Sequence, residues 1–197
     1  MQPKTFIFIG RSGSGKGTQA KLLIDALKAA DPGRGVLYIQ TGEEFREFIK
    51  GDGYTEKLAK ESYEAGILMP EFLSIHQWVR ALVERYTGDE HIIFDGTPRK
   101  FHEAGVLESV FGFYDIEKVW VINVEITPEE SLKRLLLRKR LDDDEDNIKK
   151  RMAWYETDVA PAVEYYRTNP GYHFLKIDGE RSVEAIHADI VKRLGLE

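Results

Sequence analysis

Cysteine is absent from the 197 residues. Its absence excludes disulfide frameworks, thiolate zinc sites and a cysteine nucleophile together, and it fits a reducing compartment, so a cytoplasmic setting is expected. Long apolar runs are missing as well. No stretch approaches the roughly 20 residues of a membrane span, and the apolar run within residues 1–9 is too short for a signal peptide, so a soluble protein with no membrane partner is expected. An excess of positive charge is also lacking. The formal net charge of −6 speaks against a nucleic-acid partner, whose phosphates demand a basic surface; any anion site has to be local. The five histidines, His76, His91, His102, His173 and His187, have no metal-ligand spacing, so no structural zinc is expected.

What is present is enough apolar surface for one domain: a chain that is 42% hydrophobic and 11% aromatic can bury a core of ordinary size. Short β-branched and aromatic runs, nearly continuous in apolar character, predict strands over 5–9, 36–40, 91–95, 119–125 and 173–178. Between them, helical spacing predicts helices over 16–29, 71–86, 128–138, 145–158 and 183–194. The segment Thr127-Pro128-Glu129-Glu130 reads as a cap, a first-turn proline and an acidic first turn. This alternation is that of an α/β fold with a parallel sheet covered by helices. The glycine-rich Gly51-Asp52-Gly53 introduces short helical patterns up to Gly66 and suggests a small mobile insertion.

Directly after the first strand stands Gly10-Arg11-Ser12-Gly13-Ser14-Gly15-Lys16-Gly17-Thr18. Small residues at Gly13, Ser14, Gly15 and Gly17 let successive backbone N–H groups converge on phosphate oxygens while the following helix adds its positive end. Lys16 supplies a mobile charge for the transferred phosphoryl group, and the Thr18 hydroxyl falls near a magnesium ion carried by ATP. Gly17 departs from the commonest form of the motif, in which Ser or Thr follows the lysine.

The run Gly15-Lys16-Gly17-Thr18-Gln19-Ala20 resembles adenylate kinases and their relatives, and further segments extend the resemblance over nearly the whole chain in order. It implies a P-loop three-layer sandwich whose five-stranded parallel sheet has the order 2-3-1-4-5. It also implies a core over residues 1–40, 87–138 and 140–197, a monophosphate-binding insertion at about 41–70 and a lid at about 138–141. Thr41-Gly42-Glu43-Glu44-Phe45-Arg46 is similar to the family segment that holds the nucleoside monophosphate, so Thr41, Gly42 and Arg46 are expected there. Leu68 and Met69, in the run 66–71, are expected to pack the acceptor base. In Asp95-Gly96-Thr97-Pro98-Arg99, Asp95 is expected to hold magnesium through water, and Gly96 and Arg99 to face the monophosphate. The resemblance places Arg134 over the ATP adenine, Arg138 at the lid entry, Arg140 and Arg151 on the transferred phosphate, and Gly179 against the adenine through its backbone. ATP and a nucleoside monophosphate are the implied partners, Mg2+ the implied cofactor, and a monomer the implied state.

Two departures qualify this. Only Lys139 separates Arg138 from Arg140, so the lid is almost absent, which predicts easier product escape and more ATP hydrolysis. Glu103 stands four residues after Arg99, where adenylate kinases usually have glutamine. An ionised carboxylate only accepts hydrogen bonds, which suits the donors on the pairing edge of guanine; AMP is nevertheless the acceptor expected from the overall resemblance. Another small-molecule kinase on the same loop would leave Thr41, Arg46 and Arg99 unexplained, and a nucleotide-binding module without turnover would leave the retained cations unexplained. Trp154-Tyr155 and Tyr165-Tyr166 are expected to pack within helices.

Overall fold

The computed structural model describes residues 1–138 and 145–196. The strands β1 (Thr5–Ile9), β2 (Val36–Gln40), β3 (His91–Asp95), β4 (Val119–Glu125) and β5 (Tyr172–Asp178) form one all-parallel sheet in the order 2-3-1-4-5. The order and four of the strand spans match the sequence expectation; β5 starts one residue earlier.

Strand alternation sends successive side chains of β1 to opposite faces, and both faces are covered. Ile7 and Ile9 join Phe94 and Val121 under α4 (Glu71–Arg85), α5 (Phe101–Phe113) and α8 (Ala160–Thr168), where Trp78, Leu107 and Tyr166 are buried. Phe6 and Phe8 join Ile93 and Ile122 under α1 (Lys16–Ala30) and α9 (Val183–Leu194), through Leu23, Leu27 and Ile190. Because β1 is buried on both sides, the loop that leaves its carboxyl end emerges at the centre of the sheet. That is the point where strand order reverses and where open α/β sheets bind ligands.

Helices α2 (Thr41–Phe48) and α3 (Tyr54–Glu64) pack around a separate small cluster of Phe45, Ala59, Met69 and Leu73. The turn that ends α3 rests on α7 (Glu145–Trp154): Lys150 donates to the Ala65 carbonyl at 2.7 Å. A β-carbon at Gly66 would stand 1.7 Å from Asn147 Oδ1, so a larger residue there has to displace the Asn147 side chain.

Helix α6 (Pro128–Arg138) starts as expected, with the Thr127 hydroxyl accepting the Glu130 N–H at 3.2 Å. The single helix expected over 145–158 is instead α7 followed by a π-helical turn, Tyr155–Val159, that runs into α8. One wider turn shifts the register of side chains around the axis, and this correction affects the site.

Candidate active site

The loop between β1 and α1 takes its shape from glycines. Gly13 has φ 78° and Gly15, the N-cap of α1, φ 92°, a left-handed backbone that other residues adopt only with strain. Lys16 then reaches back over the loop. Its ammonium donates to the carbonyls of Gly10 at 2.8 Å and Arg11 at 2.7 Å and lies 3.4 Å from Ser14 Oγ. Burial lowers the Lys16 pKa to about 8; Asp95 opposes the shift, while Arg99 and Arg138 add to it. Neighbours fix the loop from outside. Ser131 of α6 donates to the Ser12 carbonyl at 2.8 Å, and the Arg11 guanidinium lies 4.0 Å over the Tyr155 ring and pairs with Glu156.

Lys16 opens into a cavity of about 870 Å³. Eight basic side chains line it against three carboxylates, Asp25, Glu43 and Asp95. The protein is acidic as a whole, so this concentrated positive field is a local anion site of the kind the composition requires.

Beside the first turn of α2 two guanidinium groups converge. Arg46 Nη1 and Arg99 Nη2 lie 3.5 and 3.9 Å from the point where a Gly42 β-carbon would stand, and both residues line the cavity. Arg46 Nε donates to Glu43 at 3.0 Å, and Arg99 Nε to the Gly96 carbonyl at 3.0 Å. Desolvation pushes the Arg99 pKa down, Glu103 and Asp95 push it back up, and Arg151 lowers it further. These mutual influences mark one electrostatic cluster.

Asp95, at the carboxyl end of β3, accepts on Oδ2 from the Tyr38 hydroxyl at 2.8 Å and from Gln40 Nε2 at 2.9 Å. Gly17 explains its departure from the common motif here. A β-carbon at that position would lie 3.2 Å from both Asp95 Oδ2 and Gln40 Nε2, so glycine lets the first turn of α1 close on this group.

The cavity therefore brings together Gly13, Ser14, Gly15, Lys16, Gly17, Thr18, Gly42, Arg46, Leu68, Met69, Asp95, Gly96, Arg99, Arg134, Arg138 and Arg151 of the residues expected from sequence. Arg134 is also paired with Glu130 at 2.7 Å on its own helix. Three expected residues do not line it. Thr41 is fully buried with its hydroxyl 2.6 Å from that of Thr97. Glu103 is 1% exposed, and its carboxylate accepts the Arg99 backbone N–H at 3.3 Å. Burial raises the Glu103 pKa to about 7 against the opposing pull of Arg99 and Ser74. The Gly179 N–H donates to the Glu125 carbonyl at 2.8 Å, and a β-carbon there would meet Val124 Cγ1 at 2.7 Å, so this glycine is a close-packing position. Arg140, and with it most of the expected lid, lies outside the described residues.

Sequence reasoning missed Tyr38, Gln40 and Tyr63, and assigned Trp154 and Tyr155 to packing; Gln40, Tyr63, Trp154 and Tyr155 line the cavity. The π-helical turn begins at Tyr155, and helical periodicity carried no sign of it. Tyr165 and Tyr166 do pack, in a ring cluster with Tyr172. Among the described residues no group of three or more His, Cys, Asp or Glu is gathered as a metal cage, and no helix is long and apolar enough to cross a membrane.

Comparison with known proteins agrees with this geometry. A sequence model of the family described as adenylate kinase matches residues 8–170. The chain is 35% identical to an adenylate kinase of Corynebacterium urealyticum over 180 residues, 91% of this chain and 93% of that relative. It is 31% identical to an adenylate kinase of Corynebacterium diphtheriae, covering 96% of this chain and 98% of the relative. Adenylate kinase 1 of Synechocystis sp. is 33% identical over 96% of each chain. A phosphate loop at the centre of a 2-3-1-4-5 sheet, facing a cationic cavity, and similarity that runs through that loop and on along most of the chain lead to one assignment: the chain belongs to the adenylate kinase family of phosphotransferases.

Proposed function

We propose that this chain transfers the terminal phosphoryl group of Mg-ATP to a nucleoside 5′-monophosphate, with AMP as the acceptor (ATP + AMP = 2 ADP). The observation that carries the proposal is the meeting of Lys16, Arg46, Arg99, Arg138 and Arg151 in a single cavity.

Phosphoryl transfer asks for positioning and for compensation of charge spread over the moving group's oxygens. The backbone N–H groups of residues 13–18 cradle the ATP phosphates, and Lys16 exchanges its loop carbonyls for β- and γ-phosphate oxygens. Arg46 and Arg99 clamp the acceptor's phosphate, whose oxygen forms the new bond to the γ-phosphorus as the bond to the leaving ADP breaks. Arg138, Arg151 and, from the sequence, Arg140 then balance the charge on the travelling group. Leu68 and Met69 pack the acceptor base beside Gly42 and Gly96, and Arg134 packs the ATP adenine. Residues 41–70 form the acceptor-binding insertion and residues 138–141 the minimal lid.

Magnesium fits the donors present. Hard oxygen donors, the exposed Thr18 hydroxyl and the cavity-lining Asp95, suit an ion that keeps several waters and arrives with its nucleotide. When bound, it would be held beside Thr18 and Asp95 and would neutralise part of the phosphate charge.

The support for AMP is family membership, and the position of Glu103 removes the main argument for GMP. A carboxylate that is buried behind Arg99 and bonded to its backbone does not offer its acceptors to guanine. A coupled assay of ADP formation with AMP, GMP, CMP and UMP tests the proposal. AMP is expected to give the highest kcat/KM; ATP binding without acceleration by any monophosphate refutes transfer and leaves a nucleotide-binding module.

A further inference from the structure

The carboxylate of Asp95 is held by two residues that the proposed reaction does not otherwise use. Gln40 ends β2 as Asp95 ends β3, and the parallel register sets the two side by side. Tyr38, two residues earlier, projects to the same face of β2. The Tyr38 hydroxyl and the Gln40 amide donate to one and the same oxygen, Oδ2, at 2.8 and 2.9 Å. The first turn of α1 closes the third side: the Gly17 β-carbon position lies 3.2 Å from Asp95 Oδ2 and from Gln40 Nε2, and 3.9 Å from the Tyr38 oxygen.

Two donors on one oxygen fix the rotation of the carboxyl group. They also commit Oδ2, which leaves Oδ1 with the lone pairs available to the cavity that Asp95 lines. Tyr38 is not among the cavity-lining residues, so any effect of its hydroxyl on the chemistry has to pass through Asp95. A phenol has a single proton to give, and here it is given to that carboxylate.

We infer that Tyr38 and Gln40 are positioning residues for phosphoryl transfer, which hold Asp95 Oδ2 so that Oδ1 faces the water shell of the divalent cation carried by ATP. The inference rests on the proposed kinase reading of Asp95. Groups that hold a metal-orienting carboxylate in this way commonly matter about tenfold or more to metal affinity or rate.

The test compares Tyr38→Phe, Gln40→Met and the pair, each in the native and in the Asp95→Asn background. Tyr38→Phe keeps the ring, which packs against the α1 and α9 core cluster, and thermal unfolding verifies each fold. Two quantities are read: kcat with ATP and AMP, and Mn2+ affinity of the enzyme–ATP complex, followed by the electron paramagnetic resonance of free Mn2+. Each single change is expected to lower kcat and to weaken Mn2+ binding by about tenfold, with KM for AMP within about twofold. In the Asp95→Asn background the same changes are expected to have less than about a twofold effect on either, since residues that act through one partner are not additive. A double variant with native kcat and Mn2+ affinity overturns the inference. So does an equal loss in the Asp95→Asn background, which would reveal a packing role. If Asp95→Asn alone leaves kcat and Mn2+ affinity unchanged, the role of Asp95 in the proposed function fails and the inference falls with it.

Discussion

The Lys16 ammonium donates to the Gly10 carbonyl at 2.8 Å, so the lysine of the phosphate loop is bonded to the very loop from which it acts. Burial there lowers its pKa to about 8. Below that value the side chain is charged; above it, phosphate binding has to bring a proton with it. Calorimetry in buffers of different ionisation enthalpy should find uptake of about half a proton per ATP at pH 8 and close to one at pH 9, with affinity declining in step. Lys16→Met should show neither.

Glu103 gives the opposite kind of pH dependence. Its carboxyl is held protonated up to about pH 7, whereas in the unfolded chain it ionises near 4.5. The fold therefore binds the proton more tightly, and this contribution to stability is full below about pH 4.5 and lost as pH rises to 7. From the linkage relation it amounts to at most about 3 kcal/mol. Denaturant unfolding at pH 5 and pH 8 should show native protein losing more stability than Glu103→Gln, whose amide oxygen still accepts the Arg99 N–H.

The two guanidinium groups proposed to clamp the acceptor should separate in their effects. Arg46 is paired with Glu43 and in the proposed function contacts the acceptor's phosphate, so Arg46→Ala should raise KM for AMP by about 10- to 100-fold while KM for ATP moves by less than about twofold. Arg99 bears on Lys16, whose pKa it lowers. Arg99→Met should lower kcat itself, by about 100-fold or more. Steady-state kinetics with both substrates varied checks the two.

The sequence has only Lys139 between Arg138 and Arg140, and the proposed lid is correspondingly short. ATP hydrolysis without acceptor should therefore be measurable, at a rate that Lys16→Met abolishes. Phosphate release indistinguishable from the Lys16→Met background would remove the expectation.

The strands were readable because each is an apolar run buried on two faces, and the phosphate loop because its glycines are required by local backbone geometry. What sequence could not reveal depends on partners distant along the chain. Tyr38 and Gln40 look like ordinary strand residues until the register brings Gln40 beside Asp95, 55 positions later. Thr41 and Thr97 each read as a site residue or its neighbour, yet they satisfy one another at 2.6 Å. Trp154 and Tyr155 obey helical spacing, yet both line the cavity where a π-helical turn begins.

Helix α7 grips the turn at Ala65 and Gly66 through Asn147 and Lys150, and one residue beyond Lys150 it bears Arg151 on the cavity wall. In the proposed function, α7 thus connects the segment that takes the acceptor with a cation directed at the transferred phosphate. If α7 couples the two, each nucleotide should change the affinity of its counterpart by an equal factor, as thermodynamic reciprocity demands of linked sites.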